Sequence, residues 1–136
     1  MVEHNPVVKE WIAKAEADWE AVQILRGISS ATQRDTIAYH AQQCVEKLLK
    51  ANLIHLGQLV RKTHDLSELS VSLERVSESW QWDSDGLEQL TDAGVLNRYP
   101  GFNTSEEEML ELIAMAHRLR HALLQHLGID PQAILP

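Results

Sequence analysis

The chain has 136 residues, one cysteine and 44% hydrophobic residues, enough for one domain around one core and too little for two. Its formal net charge of -8 argues against broad electrostatic binding to DNA, and no uncharged apolar run approaches membrane-spanning length. A lone Cys44 excludes an internal disulfide, and no basic, apolar leader follows Met1, so a reduced cytoplasm is the expected setting.

Glycine and proline are scarce and divide the chain into long segments with apolar residues at helical spacing. Pro6 suits a first helical turn, and Trp11, Ala15, Trp19 and Val22 recur at steps of three or four until Gly27. The second and longest segment, Thr32 to Leu56, carries one stripe of Ile37, Ala41, Cys44 and Leu48 and an adjoining one of Val45, Leu49, Leu53 and Leu56. So broad an apolar face predicts a central helix, stopped by Gly57. A third helix starts at "THDLSEL", capped by Thr63 or Asp65, and buries Leu66, Leu69, Leu73 and Val76. Between Gln81 and Asn103 the breakers Gly86, Gly94, Pro100 and Gly101 leave room for a short helix near Leu87 to Leu90 and a structured loop through "NRYPG". The last helix opens with "TSEEE", where Thr104 and Glu107 have capping-box spacing, and runs to Leu127 with Gly128 beyond. The pattern predicts an all-α, up-and-down antiparallel bundle of four long helices plus a short extra helix, one domain over residues 1–136.

The chemistry concentrates near the C-terminus, where "HRLRHALLQH", His117 to His126, holds two arginines and three histidines without an acid. On a helical wheel Arg120 falls roughly 40° from the centre of the apolar face, Arg118 points to solvent, and His126 lies at the edge, about 120° around from Arg120. An arginine on an apolar stripe requires a buried partner or a polar subunit interface. His117 and His121 stand four apart, a spacing zinc ligands use, and His40 and His64 could add to them. The segment lacks the glutamate that marks metal-hydrolase helices, so neither a metal nor another cofactor is expected. Lys47, Lys50, Arg98 and Arg120 are candidates to meet phosphates, against the plainer reading of solvated helix faces and a Glu46–Lys50 pair four apart. The four tryptophans read as packing anchors and Cys44 as a small core residue.

The stretches "YHAQQCVEKLLKANL", "THDLSEL" and "RYPG", with the arginine-to-histidine spacing of the last helix, resemble the HEPN-domain family over nearly the whole chain. In the family's ribonucleases an arginine, often followed by a polar residue, precedes a histidine by four to six positions. "RHALLQH" fits that motif, so the resemblance implies Arg120 as the phosphate and transition-state clamp, His126 as general acid/base and His121 as a positioning residue in metal-independent RNA cleavage. Family members commonly dimerise through this helix, which would let residues that diverge on one helix meet across a two-fold axis. The resemblance further implies a two-component, toxin–antitoxin-like system with a minimal nucleotidyltransferase as partner. The alternative it leaves open is a non-catalytic module binding a nucleotide or a protein, with Lys47, Lys50, Arg98 and His117 on the ligand. Some members carry a modifiable tyrosine two positions after the histidine; here Gly128 stands there.

Overall fold

The computed structural model describes residues 4–28 and 30–133, the side chain of Arg98 excepted. Among them are five α-helices and no strand: α1 (Pro6–Arg26), α2 (Arg34–His55), α3 (Leu66–Val76), α4 (Ser84–Val95) and α5 (Glu106–His126). Single 3-10 turns precede α2 (Ala31–Gln33) and follow α4 (Leu96–Arg98).

The expected all-helical bundle is what forms, and α2 is its centre, with each of the other four helices packed against it. Both of its predicted stripes are buried as far as Leu53, including Cys44, and they meet Ala15, Trp19 and Val22 from α1 and Leu119, Leu123 and Leu124 from α5. At roughly 1.5–3 kcal/mol per fully buried large aliphatic side chain, this single core carries most of the favourable free energy of folding. Within the bundle α2 and α5 run in the same direction: the Asp35 carboxylate accepts from the Thr104 amide at one end, and the Asn52 amide donates to the Leu123 carbonyl at the other. The connection over residues 56–65 makes this arrangement fit, because it carries the chain back along α2 to His64, beside Glu46, before α3 begins.

Local chemistry sets the helix ends. Asp65 caps α3, accepting from the amides of Ser67 and Glu68. Gly57 and Gly128 each take φ of 77°, the left-handed conformation that lets a chain leave a helix without steric cost. Two boundaries differ from the sequence expectation. The capping box on α5 is Ser105 with Glu108, one position beyond Thr104 and Glu107, and α4 reaches from Ser84 to Val95 straight through Gly86 and Gly94. No helix of the described residues is long and apolar enough to cross a membrane.

Candidate functional site

The two halves of the arginine–histidine motif face different neighbours. Arg120 is 2% exposed, and its guanidinium grips Glu16 of α1 with two prongs, Nε to Oε2 at 2.8 Å and one terminal nitrogen to Oε1 at 2.5 Å. The same terminal nitrogen also donates to the Pro131 carbonyl at 3.2 Å, and the guanidinium carbon lies 5.7 Å from the Trp19 ring centre. This is the buried partner that an inward arginine requires.

His126 turns toward α2 and the end of α3. Its Nδ1 is 2.6 Å from Asn52 Oδ1 and its Nε2 is 2.8 Å from Ser77 Oγ, with the Trp80 ring packed edge-on at 5.9 Å between centres. The tautomer follows from Asn52. Its amide nitrogen donates to the carbonyls of Leu48 and Leu123, so only its oxygen can face the imidazole. Nδ1 therefore carries the proton, and the Nε2 lone pair accepts from the Ser77 hydroxyl. Burial, with nearby His55 adding to it, lowers the His126 pKa below its ordinary value and favours this neutral form.

The remaining histidines of the segment stay apart from both. His117 is exposed and leans on Trp19, ring centres 5.8 Å apart, while His121 is half-buried on the same stripe of α5. Among the described residues no three His, Cys, Asp or Glu side chains come together as metal ligands.

The proposed phosphate ligands are largely committed inside the bundle. Lys50, read as part of a solvated pair, is buried: it donates to Glu46 at 3.0 Å and sits 5.7 Å from the centre of the Trp11 ring. Glu46, 3% exposed, also accepts from Gln42 at 2.9 Å and meets His64 Nδ1 at 2.9 Å. Burial pushes its pKa up, and the three hydrogen bonds outweigh that and bring it below the ordinary carboxylate value. Lys47 donates to Asp18 at 2.6 Å, and Asp18 accepts His40 Nδ1 at 2.8 Å through its other oxygen. The side chain of Arg98 lies outside the described residues.

Two surface clefts flank these networks. One, of about 370 Å³, opens between α1 and α2 and is walled by Val7, Glu10, Trp11, Lys14 and Lys47. The other, of about 700 Å³, opens at the end of α3 and is lined by Ser77, Trp80, Trp82, Glu74, Glu78 and Asp83. Sequence reasoning picked out His126 and missed Ser77, Asn52 and Glu16. Their partners stand 49, 74 and 104 positions away, a separation that no local spacing encodes.

Comparison with known proteins gives one consistent finding. A model of the HEPN domain matches residues 8–127. The fold is similar to the crystal structure of ST0689, an archaeal HEPN homologue, with a TM-score of 0.64, 22% identity, and coverage of 88% of this chain and 97% of the other. No curated protein matches the chain.

Proposed function

The chain belongs to the HEPN-domain family, and from that premise we propose that it is the nucleotide-binding, non-cleaving HEPN component of a two-component nucleotidyltransferase system, working as a homodimer. The observation that carries this reading is the closure of Arg120. A guanidinium that is 2% exposed and holds Glu16 through Nε and one terminal nitrogen is withdrawn from solvent and turned away from any phosphorane. Removing it from Glu16 would leave an uncompensated carboxylate, a cost of roughly 3–5 kcal/mol before any RNA is bound. His126 meets Ser77 instead, and the cleft that Ser77 borders is lined by Glu74, Glu78 and Asp83, whose charge repels a polyanion.

A mononucleotide has a better seat between α1 and α2. Trp11 supplies an indole for a base, Lys14 supplies a cation for a phosphate while Lys47 stays paired with Asp18, and the cleft volume of about 370 Å³ suits a ligand of that size. The dimer is supported by charge segregation on the outer face of α5. Glu107 and Glu111 precede His117, Arg118 and His121 on one helix, and exposed Leu110, Ala114 and His117 with half-buried His121 form one stripe along it. Two copies of α5 crossing antiparallel near Ala114 would place Glu107 opposite His121 and Glu111 opposite His117, twice by symmetry.

Titration of the purified chain with ATP, read by tryptophan fluorescence and by light scattering on the same samples, tests the reading. Saturable binding to a dimer, weakened at least tenfold by Lys14→Ala, is expected. A monomer, or a titration that Lys14→Ala leaves unchanged, would count against it.

A further inference from the structure

Behind Ser77 in the wall of the larger cleft lies an arrangement that nucleotide binding does not use. Ser77 Oγ, His126 Nε2, His126 Nδ1 and Asn52 Oδ1 lie in one hydrogen-bonded line, with steps of 2.8 Å and 2.6 Å on either side of the imidazole. That is the relation of a nucleophile to a base held by a third group. We propose that Ser77, His126 and Asn52 form an activated-serine site that takes an acyl group from cationic esters, with Ser77 as the nucleophile.

Three features support the assignment. The proton positions are fixed in the required sense: Asn52 is locked by the carbonyls of Leu48 and Leu123, Nδ1 holds the ring proton, and the Nε2 lone pair points at the Ser77 hydroxyl. The imidazole is neutral near pH 7, since burial and His55 lower its pKa, so the base is ready without prior deprotonation. Finally, Ser77 is held and reachable. It ends α3 in extended backbone, with φ of -143° and ψ of 114°, is half-buried, and lines the cleft. Because the one Ser77 proton is committed to His126, the Ser79 hydroxyl at 3.1 Å must donate to Ser77 Oγ, where it would stabilise a developing alkoxide.

The cleft indicates the substrate class. Trp80 and Trp82 stack with ring centres 5.5 Å apart and planes 9° from parallel, and Glu74, Glu78 and Asp83 surround them. Trp80 is buried against Trp82, so half-buried Trp82 supplies the indole, which together with the carboxylates favours an ammonium group, by cation–π attraction and by charge. In the reaction Ser77 Oγ attacks the ester carbonyl carbon and its proton passes to His126 Nε2. The ester C–O bond breaks, the leaving alcohol takes that proton, and the acyl group remains on Ser77. Water then repeats the sequence on the acyl-serine, giving its proton to His126 and releasing the acid and free Ser77. Asn52 is a positioning residue that acts through His126.

Labelling of the full chain with a fluorophosphonate, followed by peptide mapping, tests the nucleophile. The adduct is expected on Ser77, lost in Ser77→Ala, and formed at least about 100-fold more slowly in His126→Gln, the scale of general-base assistance. Asn52→Leu, which removes the acceptor for Nδ1–H, should lose labelling at pH 7 with its helical circular dichroism intact, and should regain part of it as rising pH generates the Ser77 alkoxide without the base. The substrate class is tested with the p-nitrophenyl esters of 4-(trimethylammonio)butyrate and its neutral isostere 5,5-dimethylhexanoate. The cationic ester should have at least a tenfold higher kcat/KM. An unlabelled wild type, or an adduct that persists in Ser77→Ala, would overturn the site; equal kcat/KM for the two esters would overturn the cationic class.

Discussion

Arg120 and Glu16 show what one residue can fix. The wheel placed Arg120 inward, which the structure bears out, yet its partner is one acid among the 20 of the chain, selected only when α1 and α5 come together across α2. The pair is closed on one side by Trp19 and on another by the Pro131 carbonyl. Glu16→Ala should therefore cost about 3–5 kcal/mol in urea denaturation, because it leaves a buried guanidinium unpaired. A loss below 1 kcal/mol would mean that the pair behaves as a surface one. His126 makes a different prediction. A histidine whose folded pKa lies below its unfolded value contributes stability fully present above the unfolded value, near 6.5, and lost as pH falls through the folded one. His126→Asn keeps a donor toward Asn52 and removes the titration. Its denaturation midpoint should fall less than that of wild type between pH 7.5 and pH 5.5.

At the scale of elements, much of the fold was legible and the exceptions have local causes. The α2 stripes, the Asp65 cap and the glycine stops follow from periodicity and turn chemistry, which act within a few residues. The α5 cap was ambiguous because "TSEEE" offers Thr104 with Glu107 and Ser105 with Glu108 at the same spacing. Tertiary contacts decide: Thr104 is buried, its amide on Asp35 and its hydroxyl taken by Asn97, which leaves the cap to Ser105. The length of α4 was hidden because its glycines read as breakers. They are instead contact points, a Cβ on Gly94 falling 2.6 Å from Gln42 and one on Gly86 falling 2.6 Å from the Met115 sulfur. The methionine can move aside, whereas Gln42 is buried and bonded to Glu46. Gly94→Ala should cost about 1–3 kcal/mol by overpacking and Gly86→Ala less than 1, a difference that thermal melts would resolve.

For the whole molecule, the family and the helical bundle were readable from the sequence, because helix patterns and family motifs are local. The site was readable only in part. His126 and Arg120 were visible as unusual chemistry on one helix, but what they face depends on how α1, α2 and α3 assemble around α5. That assembly turns the motif away from a shared cleft within one chain, with Arg120 locked to α1 and His126 aimed at Ser77. The most direct test is incubation of a mixed cellular RNA pool in EDTA with wild type, Arg120→Ala and His126→Ala, each checked for folding by circular dichroism. The closed Arg120–Glu16 pair predicts intact RNA in all three. Cleavage by wild type that disappears in both folded variants would contradict it, and would mean that the pair opens to make a ribonuclease site.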